Sequence, residues 1–189
     1  MPEPVYRPGD IVGVPSKRVL ARLLRWAFEP HTDLFHWLVV YEYVPEESDY
    51  VVMECIPQGV VMGRLSRYTG KGYRVFRPVF DDPTAGERAC HELTRYGRYG
   101  YDWLIWLKML FRCQAALVRQ LAREKRLHPI RPSELPYRAD QRLTCTEAAV
   151  VGWERVGCHL VPEGVFPMPA SFLQAVHEGR LQEVTEKGG

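Results

Sequence analysis

The amino-acid sequence predicts an α+β domain, in which a small antiparallel sheet or partial barrel packs against helices. Up to about residue 79 the chain holds short apolar runs separated by polar or proline-containing turns, the pattern of strands. Beyond that point the apolar residues recur at helical spacing. The chain has 189 residues, 46% hydrophobic and 25% charged, which suits one domain with a substantial core. Residues 1–189 are therefore read as a single domain; no repeat, low-complexity segment or linker interrupts them.

Near the N-terminus, Gly9-Asp10 is a turn leading into a strand, "IVGV". Ser16 to Phe28 reads as a helix, with Leu20, Leu23, Leu24 and Ala27 as its apolar stripe and Arg18, Arg22 and Arg25 opposite. The next stretch gives two strands, about Phe35 to Tyr43 and about Tyr50 to Ile56, with "PEESD" as the turn between them. A third strand, "YRVFRPV", begins near Tyr73. Asp82 and Pro83 then open a helix that Gly97 closes, and a longer helix covers about Asp102 to Arg126. Three prolines make Leu127 to Arg142 a loop. A helix follows, capped by Thr144, with Glu147 where the dipole favours a carboxylate and Gly157 at its end. "PASFLQAVHEG" is the last helix.

Composition excludes several functions. The net charge is +2, and no recognition motif is present, so nucleic acid is not an expected partner. Cys55, Cys90, Cys113, Cys145 and Cys158 are odd in number and contain no CxxC, which argues against a disulfide framework or a zinc ribbon. Cys90-His91 and Cys158-His159 are adjacent pairs, and neighbours in a helix point about 100° apart. The N-terminus has no signal-peptide pattern, and the apolar run "WLIWLKMLF" is too short to span a bilayer, so a cytoplasmic setting is expected. The basic face of residues 16–28 offers peripheral contact to anionic lipid or an acidic partner, or is simply solvated.

Cys145 stands in the first turn of its helix, among unpaired backbone N–H groups that favour a thiolate. The alternative is a small buried core residue, which is what most cysteines are. A nucleophilic cysteine needs a base, and the base an orienting group. Of six histidines, His36 sits in a strand between Phe35 and Trp37, where an apolar or β-branched residue is the usual occupant. If the hairpin is centred near Pro45, His36 and Glu54 lie opposite each other on one face. Glu54 is a carboxylate in an apolar strand, costly to bury unless paired.

Taken in order, "GDIV", "FHWLVVY", "MECIPQGVV", "YGYDW" and "CTE" resemble the circularly permuted, YiiX-like branch of the NlpC-type papain-like cysteine peptidase superfamily. The resemblance runs from about Gly9 to Leu173. It implies a permuted papain-like domain, with Cys145 as nucleophile, His36 as base and Glu54 as the orienting third member. The implied reaction is cleavage of an amide (peptide or cell-wall type) or ester bond through an acyl-cysteine, with peptide, cell-wall or lipid-amide substrates. It needs neither cofactor nor metal ion. One departure is Trp37, whose ring is expected beside the site. Two alternatives stay open. One is a lipid-directed thiol acyltransferase, with Trp26, Phe28, Trp103 and Trp106 facing a membrane; the other is a non-catalytic module that keeps the fold.

Overall fold

The computed structural model describes residues 5–17, 25, 27–97, 100, 102–131 and 143–184. Its strands are β1 (Ile11–Pro15), β2 (Leu34–Val44), β3 (Asp49–Ile56), β4 (Gly59–Arg64), β5 (Arg74–Pro78) and β6 (Leu181–Val184). They form one antiparallel sheet in the order β4-β3-β2-β1-β5-β6. The helices are α1 (Ala85–Thr94), α2 (Trp103–Glu124), α3 (Cys145–Arg155) and α4 (Pro169–His177), with a 3₁₀ helix at Leu65–Lys71. Among the described residues no helix is long and apolar enough to cross a membrane.

Side chains alternate across the sheet, and both faces are covered. Ile11, Trp37, Val39, Met53, Cys55 and Phe76 face α1, α3 and α4. Val12, Val14, Leu38, Val40, Val52 and Val75 face the other way, under Tyr6 and Leu65 of the 3₁₀ helix. Strands buried on both sides read as continuous apolar runs, which is why β2 and β3 are so apolar. Asp10, in the turn before β1, is buried and takes two hydrogen bonds from Arg77 of β5, at 2.8 and 2.7 Å.

The structure adds elements that the sequence pattern does not predict. β4, the 3₁₀ helix and β6 are short, and the strands exist through pairing with β3 and β5. The α1 helix starts at Ala85, three residues after Asp82, whose carboxylate instead accepts the Thr84 N–H at 2.8 Å. Of the expected helix from Ser16 to Phe28, residues 18–24 and 26 lie outside the described residues, and Ser16 and Lys17 are not helical. Phe28 is 4% exposed and packs on Ala116, Ile130, Phe166 and Met168, so it belongs to a core and not to a membrane-facing surface. The side chains of Trp26, Trp103 and Trp106 lie outside the described residues.

Helix α3 seats against α1 at Gly152, where a Cβ would come within 2.3 Å of the Ala89 carbonyl oxygen. Backbone atoms cannot swing aside as a side chain can, so Gly152→Ala should destabilise the fold by about 1–3 kcal/mol, the usual cost of overpacking. Gly70, where a Cβ meets nothing within 4 Å, is the control; Gly70→Ala should change stability little. Urea unfolding of both variants checks this, and equal midpoints would refute the close approach.

Candidate active site

The hairpin of β2 and β3 turns at Pro45–Ser48 and pairs Val44 with Asp49. Continued without a break, that register would set Glu54 opposite Val39, on the helix side. A bulge intervenes: Tyr41 has no partner between the pairs Val40–Val52 and Glu42–Val51. Glu54 consequently lies opposite Leu38, on the face that also carries His36. The expected pairing of His36 with Glu54 is thus corrected by two residues. They are diagonal neighbours, close enough for long side chains to meet. His36 Nε2 lies 2.9 Å from Glu54 Oε2.

Pairing between β2 and β3 ends at Leu38–Glu54, although β2 continues to Leu34 against β1 and β3 continues to Ile56 against β4. The two strands therefore fork, and the start of α3 enters the fork. The Cys55 thiol of β3 donates to the Leu143 carbonyl at 3.1 Å. The Cys145 thiol donates to the Phe35 carbonyl of β2 at 3.8 Å, which brings it next to His36. Thr144 caps α3: its hydroxyl accepts the Glu147 N–H at 3.3 Å, and the Glu147 carboxylate accepts the Thr144 N–H at 2.7 Å. The fork thus brings Cys145, which belongs to the helix-side core, against a histidine of the other face.

The electrostatics follow this order. Burial alone would push the His36 imidazole down, but hydrogen bonding and charge from Cys145 and Glu54 outweigh it and raise its pKa to about 9. Burial pushes the Glu54 carboxyl up. Hydrogen bonds from His36 and Tyr68, and the charges of His36 and Arg67, overcome that and hold it below the usual carboxylate value. Since Nε2 is taken by Glu54, Nδ1 is the ring nitrogen left for Cys145. Cys55 is pushed up to about 12 by burial and by the negative charges of Cys145 and Glu147. Cys90 is also pushed to about 12, chiefly by burial.

Three participants escape the sequence pattern. Tyr68 of the 3₁₀ helix donates to Glu54 Oε2 at 2.6 Å and lies 3.4 Å from His36 Nε2. Arg67, its neighbour, adds positive charge near the same carboxylate. Gly63 leaves room for it, since a Cβ there would sit 2.8 Å from Glu54 Oε1. A glycine inside a strand often marks such a close approach, and that was the available signal. The ring beside the site is Tyr68, 5.8 Å from His36 between centroids. Trp37, expected there, points to the other face and stacks on Phe172 at 3.9 Å.

The fold is similar to the crystal structure of metalloprotein yiiX from Escherichia coli O157:H7 (DUF1105). The TM-score is 0.62 and the identity 14%, over 97% of this chain and 98% of that one. The chain therefore has a YiiX-like fold. No protein-family model matches it, and no curated protein does.

His36 should titrate near 9 in the folded protein, and lower when Cys145→Ala or Glu54→Gln removes one of its partners. The folded pKa lies above the ordinary 6.5, so the stability that a charged His36 contributes is complete below pH 6.5 and lost as pH rises through about 9. NMR titration of the ring protons measures this. A His36 ring titrating at or below 6.5 in the wild type would contradict it.

Proposed function

We propose that this chain is a thiol hydrolase of the permuted, NlpC-type papain-like kind, with Cys145 as nucleophile, His36 as general acid and base, and Glu54 as the orienting group. The observation that carries the reading is the meeting of three elements at the fork. A helix N-terminus presents Cys145 beside His36, and the far ring nitrogen of His36 is held by a buried carboxylate at 2.9 Å. A lone core cysteine would need none of this, and a buried carboxylate kept only to hold a resting histidine would be an expensive ornament.

The chemistry runs in two halves. The Cys145 thiolate attacks the carbonyl carbon of an amide or ester, and the backbone N–H of Cys145, which has no acceptor within its own helix, faces the developing oxyanion. His36 gives the Nδ1 proton to the departing amine or alcohol, leaving an acyl-cysteine and a neutral imidazole. Water then enters; His36 takes its proton, the hydroxide attacks the thioester, and the carboxylic acid leaves as the thiolate returns. Glu54 holds the ring through Nε2–H, and Tyr68 and Arg67 hold Glu54.

The yiiX structure is named a metalloprotein. Among the described residues of this chain no three His, Cys, Asp or Glu side chains are grouped to hold a metal ion. Within the site His36 lies between Cys145 and Glu54, so the three donors stand in series and do not converge on a point. This donor set does not fit a metal ion.

Limiting iodoacetamide at about pH 6, well below the free-thiol pKa, followed by peptide mapping tests the nucleophile. Cys145 should label fastest, and more slowly in His36→Ala; even labelling of all five cysteines would reduce Cys145 to a core residue. With a chromogenic thioester or amide as substrate, His36→Ala should lose about a thousandfold or more in kcat/KM. Glu54→Gln should retain measurable turnover, because an amide oxygen still accepts the ring N–H. Wild-type rates in both variants would remove the pair from the mechanism.

A further inference from the structure

Helix α2 presents two unlike faces. Cys113, Ala116 and Leu117 turn inward onto Phe28, Ile130, Phe166 and Met168. The opposite face is a ridge of Phe111, Ala115, Val118 and Ala122 at helical spacing, with Phe111 61% and Val118 66% exposed. Leu121, 56% exposed, widens the ridge on one shoulder. On the other shoulder Lys108, Arg112, Arg119 and Arg123 repeat along the helix in a single row, all exposed. Arg119 lies along the ridge, its Nε–H donating to the Ala115 carbonyl at 3.1 Å. Glu124, at the last position, is the helix's one acidic residue, and Lys125, Arg126 and the exposed Leu127 follow it.

The charge pattern selects the occupant. Two copies packed ridge to ridge in antiparallel fashion would set rows of arginine beside each other, which repel. An exposed apolar ridge with a cationic shoulder fits a bilayer interface, where aromatic and aliphatic groups enter the acyl boundary and Lys and Arg reach lipid phosphates. The chain's net charge is only +2, so the basic row is a local feature and not a general excess. We propose that the outward face of α2 docks the protein on anionic phospholipid membranes. The inference is independent of the hydrolase reading, although it would orient the site: the Asp102 N–H, just before α2, donates to the Leu143 carbonyl at 3.2 Å, two residues from Cys145.

The test is co-sedimentation of the full chain with phosphatidylcholine vesicles, with and without about 30% phosphatidylglycerol. The protein should pellet with the anionic vesicles, stay in solution with the neutral ones, and be released by high salt. Phe111→Ser/Val118→Ser should weaken binding on the order of tenfold through lost apolar burial. Arg119→Gln/Arg123→Gln should weaken it on a similar scale through lost charge. The second variant alters only solvent-facing side chains, so it decides the matter should the first fail to fold by circular dichroism. No binding, or equal binding to both vesicle types, overturns the proposal. So does a dimer in light scattering that Phe111→Ser/Val118→Ser abolishes, since the ridge would then belong to a second copy.

Discussion

The end of the β2–β3 ladder at Leu38–Glu54 is the constraint on which the candidate site depends. Had the ladder continued, the backbone groups of residues 34–37 and 55–56 would bond across it and close the sheet. Because it stops, those strand segments keep one partner each, β1 and β4, and turn polar groups toward the gap. Buried backbone acceptors need donors. The segment entering α3 answers part of that need in both directions: the Phe35 carbonyl takes the Cys145 thiol, and Leu143 supplies the carbonyl that the Cys55 thiol seeks. A helix whose first residue is anchored to one strand, with the residue before its cap anchored to the other, has little freedom to slide. The position of Cys145 is in that sense a property of the sheet.

The Tyr41 bulge is the second requirement, and it acts through parity. A strand alternates faces at every residue, so a register shift of one would move Glu54 under the helices, away from His36. There the carboxylate would lie under the apolar residues of α1 and α3, such as Ala89 and Ala149, without a cation, at the full cost of burying a charge. One extra residue in β2 restores the face, and the 3₁₀ helix completes the surroundings with the Tyr68 hydroxyl and Arg67. Gly63 is the matching concession on β4, since a larger residue would push into Glu54 Oε1. The bulge, the fork and the glycine each weaken a regular sheet locally, and each does so around the same carboxylate.

What could be read in the sequence was local. Thr144 and Glu147 form a capping box detectable from their spacing, and the apolar runs of β2 and β3 announce a hairpin. Cys145, His36 and Glu54 could be singled out because each is an unusual residue for its element. The rest was set by partners distant in the chain. β4 and β6 have little pattern of their own and are strands because β3 and β5 offer edges. The bulge at Tyr41 leaves no mark in composition, so the expected His36–Glu54 register was two residues out while the face was right. Tyr68 lies on a seven-residue 3₁₀ helix, too short to carry periodicity. Trp37 was misplaced for a simpler reason: adjacent residues of a strand point to opposite faces, and a ring next to His36 in sequence is far from it in space.

Glu147 raises the last question, because a carboxylate in the first turn of α3 could oppose a thiolate at Cys145. Its own burial answers it. Desolvation pushes the Glu147 pKa up to about 8, against the pull of the Thr144 N–H, with the nearby charges of Asp102 and Glu154 adding to the rise. Near neutrality the group is mostly protonated, so it caps the helix without placing a negative charge on the Cys145 side. His36 stays charged up to about 9. Below pH 8, then, α3 offers Cys145 its N-terminal dipole and an imidazolium, with the neighbouring carboxyl held neutral. Both protons are lost on the alkaline side, the Glu147 carboxyl's through about 8 and the His36 imidazolium's through about 9. The same burial that makes Glu147 a firm cap thereby keeps a negative charge out of the first turn of α3 near neutrality.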